Sequence, residues 1–534
     1  MRRDELNETE RRVWDACREG FWVDLSLSAG DPDPDGVTGD PDPDGAAGDP
    51  VPGVRAAVEP VAEGPLAADG PDDPDSPVPQ AGPDLARLGE VRAAVLVTLL
   101  QQAPERVDGR VPALRLRGAR ITGRLDLSHV TVGLPVHLDG CVLDAAPDLT
   151  GASLRTLELR DCRLPGLDGR LMTVTGDLRL ADCRVDGRLM LENSTITGSF
   201  SIGGCRLVNP GGRALSGGGM SVGGGFFGRR GLCAEGTVRL IGARIAGGVF
   251  LEGAVLRHPG GVGLCADEVN TTRIRCCDGF SCEGEVQLRG AQVSGEVNLF
   301  AATVLARRKA IRARGLTAGE LVLAPDRVEG LVDLSRARVG AIRDRRGSWP
   351  QHLRLDGLTY EHLLPFGESL DAGARCAWLA RDVDPYRPQP YEQLAGHYRR
   401  LGHDDEARRV LLAKLRRRRR TQRLPARLAG YLLDGLVGYG YRPWLAACWL
   451  AVLLAAGTAV FTARPPQAVD PAHQPTFDAF VYTLDLLVPI GAFGLRGSFV
   501  PLGATRWMAY GLIAAGWILA TALIAGVSRS LRRD

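Results

Sequence analysis

Four groups of residues in this chain could carry chemistry. Cys276, Cys277 and Cys282, with Cys265 upstream, bring four thiols into one stretch. Zinc takes four such ligands at tetrahedral geometry and is commonly held by closely spaced cysteine pairs of the form C-x₂₋₄-C. A vicinal pair followed by a wider gap fits that pattern poorly. Cysteine is also a small apolar residue that buries well, so these are expected to be structural thiols, with no metal and no cofactor. The run Gly217–Gly225 (GGGMSVGGG) is rich enough in glycine to cradle a phosphate. It lacks both G-x-G-x-x-G between a strand and a helix and G-x-x-x-x-G-K-[ST]. A loop is expected there. His129 and His137 lie close to Asp126 and Asp139 and could supply a base with its orienting carboxylate. No spacing suggests a nucleophile to complete the set, and these positions are expected to be outward polar sites on strands. Arg416, Arg417, Arg418, Arg419 and Arg420 are consecutive. Such a run attracts anionic lipid by about 1 kcal/mol per charge, whereas nucleic acid would call for a groove or stacking partners. Lipid is the expected contact and nucleic acid is not. No residue is assigned a catalytic role.

The elements that must position these groups repeat. Glycine followed by two apolar residues at alternate positions occurs as Gly176-Asp-Leu178-Arg-Leu180, Gly187-Arg-Leu189-Met-Leu191 and Gly198-Ser-Phe200-Ser-Ile202, at equal intervals. The same pairing at the same interval returns at Gly236 with Gly247, Gly284 with Gly295, and Gly319 with Gly330. Alternate residues of a strand point to one face, and a strand this short cannot bury itself alone. Stacked coils can, each covering the next. Cys141, Cys162, Cys183 and Cys205 recur at twice the glycine interval, to within one position. That spacing predicts two such arms per coil, with cysteines rising up one inner edge. A longer echo relates 236–260 to 284–308. The stretch 211–228 breaks the spacing and is expected to protrude as a loop.

The predicted architecture is therefore mainly β: a β-solenoid at 111–345 with helical flanks. A capping helix is expected in 1–28 and a second in 84–110, closing an end that would otherwise expose core and strand edges. Between them, 29–83 is rich in Pro, Asp and Gly and contains DPDPDG twice. It is too poor in apolar residues to fold and is expected to be a disordered insertion. A connector at 346–390 leads to a basic helical hairpin at 391–424, broken at Gly402. The remainder, 425–534, is expected to be a membrane domain. Its runs 444–463 and 507–528 carry no charge and are long enough for a hydrocarbon core of roughly 30 Å. Arginines flank both runs, so the positive-inside rule places the two termini in the cytoplasm of a multi-pass protein. Thr476–Gly494, between the runs, reads as an interfacial helix or a re-entrant segment.

Bulk composition fits this outline. The 68 glycines in 534 residues are nearly double the usual share of about 7%, as turns every few residues demand. The 65 basic and 63 acidic residues nearly cancel, but acids crowd 29–85 and arginines crowd the last third. No apolar stretch follows Met1–Glu10, so no secretory signal is expected, and the 12 cysteines should be reduced thiols.

The segments GARITGRLDL (118–127), GTVRLIGARIAGGVFLEGAVL (236–256), GEVQLRGAQVSGEVNLFAATV (284–304) and YEQLAGHYRRLGHDDEARRVLLAKLRRRRR (391–420), taken with the two C-terminal runs, resemble a known group. They are similar to actinobacterial membrane-associated proteins with pentapeptide-like or bactofilin-like β-helical repeats, often labelled membrane-associated oxidoreductase. The resemblance implies a β-helix beside a membrane. It carries no catalytic residue onto these positions, and no dinucleotide motif, C-x-x-C or haem signal supports the oxidoreductase label. Three functions follow as expectations. The first is a membrane-anchored cytoplasmic scaffold that binds a protein partner or self-associates. The alternatives are an oxidoreductase and an oligomeric channel or transport component.

Overall fold

Apolar residues at alternate positions, with glycine or a small polar residue at each bend, wind the first part of the chain into a solenoid. The computed structural model describes residues 5–26, 88–102, 111–229, 231–367, 371–424, 443–469, 476–488 and 493–531. Two units, Met1–Glu368 and Ser369–Asp534, make up the chain. Among the described residues of the first, about 11 turns stack through two sheets, one of 20 strands and one of 14, both parallel throughout. Each coil contributes two short arms to each sheet. One arm of the first sheet stacks Thr131–Val132, Ser153–Leu154, Thr173–Val174 and Thr195–Ile196 in register. One arm of the second stacks Leu167, Leu189, Leu215, Val238 and Leu264. The inward member of each arm is buried, as in Val174, Ile196, Leu189 and Val238. Burial of this kind stabilises by about 1.5–3 kcal/mol per large aliphatic side chain.

One bend of every coil is left-handed. His129, Gly151, Leu171, Asn193, Gly219, Gly242, Glu268, Gly290, Gly315, Arg336 and Gly357 all have φ between 55° and 78°. Non-glycine residues enter that region at some cost, and the stacked neighbours hold them there. His129 N–H, for example, donates to the Thr150 carbonyl at 2.8 Å.

The solenoid is longer than the predicted 111–345. At its start, helix α1 (Glu8–Glu19) is opened by a capping box between Asn7 and Glu10. It leads into strand β1 (Trp22–Asp24), which pairs with Leu114–Arg117. Strand β2 (Gly89–Arg92) pairs with Ala119–Thr122 and runs into helix α2 (Ala93–Gln102). The capping helix expected in 84–110 is thus strand first and helix second. The Gly89 N–H donates to the Leu25 carbonyl at 3.2 Å, so β1 and β2 continue one coil and the 29–83 insertion departs from the middle of it. That insertion lies outside the described residues. Leu96 and Leu100 of α2 face a small cavity with Leu114, Leu125 and Leu138, so α2 seals the apolar end. At the other end His352–Arg354 and Thr359–Pro365 extend the second and first sheets, so the expected connector is partly solenoid.

In the second unit α3 (Ala372–Leu379) precedes the hairpin of α4 (Gln389–Arg400) and α5 (Asp404–Arg420), with Gly402 at φ 76° between them. Helices α6 (Pro443–Ala463), α7 (Ala479–Leu487), α8 (Leu495–Ser498) and α9 (Ala504–Leu531) follow. Among the described residues no helix is long and apolar enough to cross a membrane. This overturns the two transmembrane helices and the multi-pass cell-membrane location. Absence of charge is not sufficient for a span. Half of each uncharged run is Ala, Gly, Ser or Thr, which contribute little to insertion. Phe461, Tyr482, Leu486, Phe499 and Leu512 bury against one another instead. Asp485, fully buried, accepts from the Phe493 and Arg496 N–H groups at 3.0 and 2.8 Å. It ties the chain after α7 back onto that helix.

Candidate binding surface

The thiols separate once the coils are stacked. Cys276 sits on the inner side of the first sheet, while Cys282 lies between Leu256 and Val304 in the second. Burial raises Cys276 well above the ordinary thiol range and pushes Cys277 and Cys282 up to about 12. Among the described residues no cluster of His, Cys, Asp or Glu is placed to hold a metal ion. Cys141, Cys162, Cys183 and Cys205 do form the expected ladder. Each thiol lies 3.3–3.5 Å from a carbonyl of the preceding coil, at Leu116, Leu138, Leu159 and Leu180. Hydrogen bonding to the neighbouring thiols, then burial, raises Cys162 and Cys205.

The histidines are placed by the fold for other reasons. His129 fills a left-handed bend, and His137 meets Glu158 at 3.1 Å and the Trp22 ring at 6.3 Å. Of the stretch 211–228, expected to protrude, Gly211 and Gly212 leave the strand register, whereas the glycine-rich run Gly217–Gly225 does not protrude. It makes one bend and then strands Ser221–Val222 and Gly225–Phe227. Phe227 stacks on Phe250 at 5.0 Å, with the Arg229 guanidinium 4.5 Å from the Phe250 ring. Arg416–Arg420 form the last turns of α5 opposite Asp404, Asp405 and Glu406 in its first turn. Both ends thereby complement the helix dipole.

Much of the outer surface is stitched coil to coil by ion pairs. Arg117 meets Asp139 at 2.9 Å, Arg163 meets Asp186 at 3.2 Å, Arg229 meets Glu252 at 2.9 Å and Arg343 meets Glu320 at 2.6 Å. Exposed pairs are each worth about 0–1 kcal/mol. They also neutralise the faces they cross.

Part of the second sheet, which elsewhere carries pairs such as Arg163–Asp186, departs from this pattern. Strand Arg206–Ser216 leaves its register between Val208 and Arg213, so that Asn209, Pro210, Gly211 and Gly212 project. Strand Val255–Cys265 does the same at His258, Pro259, Gly260 and Gly261. Beside these excursions runs a groove of about 560 Å³, lined by Arg188, Met190, Glu192, Arg213, Thr237 and His258 among others. A second hollow of about 370 Å³ shares Arg188 and Met190 and continues past Pro147 and Gly166 to Arg124. The His258 ring is fixed by the Val262 carbonyl at 3.1 Å and the Thr237 hydroxyl at 3.0 Å from Nδ1. Sequence reasoning placed Gly211, Gly212, Arg213 and Ser216 in a stretch expected to protrude, and gave none of the groove residues a binding role. A signal was available. Outer arginines such as Arg117, Arg163 and Arg229 find a carboxylate one coil further along the chain. In the strand register Arg188 lies beside Gly166 of the coil before and Ala214 of the coil after, neither of them a carboxylate.

No protein-family model matches the chain, and neither the curated proteins nor the solved structures yield a match.

Proposed function

We propose that the protein is a non-catalytic scaffold whose solenoid presents a protein-interaction surface, and that the groove on the second sheet is its contact site. One observation carries this: two hollows that share Arg188 and Met190 form a single concave strip across several coils. A parallel stack with an aliphatic core is stiff, so such a strip is pre-organised and a partner loses less freedom on docking. The polar, pair-neutralised faces around it keep contact confined to the groove.

The test is site-specific photo-crosslinking in cells. A benzophenone side chain at Met190 should link to one defined polypeptide, either a partner or a second copy. The same group at Thr195, exposed on the first sheet, should not. Equal labelling from both positions, or none from either, would overturn the proposal.

A further inference from the structure

The groove's charges are unbalanced, and the imbalance identifies an occupant. Glu192 is the carboxylate at its centre. It accepts from the Ser216 hydroxyl at 2.6 Å, and the Arg213 and Arg239 guanidiniums stand 3.7 and 4.0 Å away. Neither arginine holds it in a close two-point contact, so both keep most of their donors. Arg188 is exposed and, among the described residues, has no carboxylate partner. Arg188 and Arg213 line the groove with Glu192, and Arg239 stands 4.0 Å from that carboxylate, while Asp168 of the second hollow is held by Arg170 at 2.7 Å, so guanidiniums outnumber carboxylates around Glu192.

Arg188, Arg213 and Arg239 belong to three successive coils. Coils stack about 4.8 Å apart, so the three span about 10 Å along the axis. The whole strip, from Arg124 to His258, covers six coil steps, or about 29 Å at that spacing. An extended polypeptide rises about 3.3 Å per residue, so eight or nine residues fill it. Alternate side chains of such a segment face the same way, which suits carboxylates toward the arginines and small residues toward Met190, Ala146 and Pro147. A uniformly charged polyanion fits less well, because Glu192 and Asp168 also line the strip and would repel a charge at every step.

We propose that the groove holds an extended acidic segment of a partner polypeptide, with Arg188, Arg213 and Arg239 receiving its carboxylates. The idea rests on the scaffold reading above and adds the chemistry of the partner.

The purified full chain would be titrated into fluorescein-labelled (Glu-Ala)4 and followed by fluorescence anisotropy. Saturable binding is expected, with none for (Lys-Ala)4. Arg188→Glu should weaken it by about tenfold or more. Arg338→Glu makes the same change of charge on the first sheet and should shift affinity less than about twofold. Thermal melts of both variants should match the parent, since both positions are exposed. Equal weakening by the two variants would reduce the effect to net charge and overturn the proposal. So would the absence of saturable binding, or tighter binding of an oligogalacturonate or an oligonucleotide. Crosslinking from position 190 with no acidic-peptide binding would sink this inference and leave the scaffold reading standing.

Discussion

The coils before Cys205 and those after it share a core and differ outside. In the early part, successive first-sheet arms begin at Thr131, Ser153, Thr173 and Thr195, which are nearly evenly spaced. In the later part they begin at Ser221, Arg244, Asn270, Gln292, Thr317 and Arg338. There, long and short coils alternate. The intervals ending at Ser221, Asn270 and Thr317 are long, and those ending at Arg244, Gln292 and Arg338 are short. Each long one carries an excursion on the same side of the second sheet, at Asn209–Gly212, His258–Gly261 and between Leu305 and Lys309. The inward column ignores the change: Leu189, Leu215, Val238, Leu264, Val286 and Ile311 stay in register. The core is held fixed while one edge of the surface is built up, and the groove lies where the built-up edge begins.

The sharpest way to break the early coils is to separate them. A Cβ on Gly187 would stand 2.2 Å from the Pro165 carbonyl oxygen of the coil below. Backbone cannot yield as a side-chain tip can. Gly187→Val should therefore cost about 3 kcal/mol or more in urea denaturation. Gly133 has nothing within 4 Å of the same construction, so Gly133→Ala should stay within about 0.5 kcal/mol of the parent.

A smaller effect is expected where α1 closes the first coil. Glu10 is fully buried and receives Arg92 Nε at 2.7 Å and Nη2 at 2.6 Å. Those hydrogen bonds hold its carboxyl at about 2, against an ordinary 4.5. The folded value is the lower one, so the stabilisation is present in full above pH 4.5 and is lost as pH falls from 4.5 toward 2. Because Arg92 is half exposed, about 2 kcal/mol is expected at neutral pH. Glu10→Gln should lose that amount at pH 7 and much less at pH 3. An equal loss at both would assign the effect to packing.

The cysteine ladder should give about 1 kcal/mol for Cys183→Ala, since only one small group leaves a packed column. A labelling experiment sharpens the contrast between regions. Cys141, Cys162, Cys183 and Cys205 are buried and Cys448 is exposed. A thiol reagent should modify Cys448 at once and the ladder only at the rate of unfolding.

The repeat was legible because burial of one face imposes a period of two, and the regular cysteine spacing exposed the coil length directly. The excursion at Asn209–Gly212 showed only as the break in spacing at 211–228, and that at His258–Gly261 was hidden because it interrupts a strand that resumes in the same pattern. Strands β1 and β2 were missed for a different reason. They are halves of one coil, parted by the 29–83 insertion, and neither half repeats. The groove depends on which arginines find a partner one coil away, a property of stacking that composition conceals. The membrane spans were read from an absence of charge, where the deciding quantity is the apolar surface that alanine, glycine and threonine do not provide.

A small stability effect is the most informative about function. Deleting Pro259, Gly260 and Gly261 would bring the coil from Arg244 to Asn270 down to the length of the one before it, from Ser221 to Arg244. Gly260 has nothing within 4 Å, and no buried apolar side chain is lost. His258 would then fall opposite Gly284, the residue skipped between Glu283 and Glu285 in the present register. Stability should change by less than about 1 kcal/mol, as for other surface-loop shortenings. The His258 ring would lose its place at the end of the groove, so binding of the acidic peptide should weaken while the melting curve stays put. A large loss of stability would instead mean that the excursions brace the later coils, and the contrast between a fixed core and a variable edge would fail.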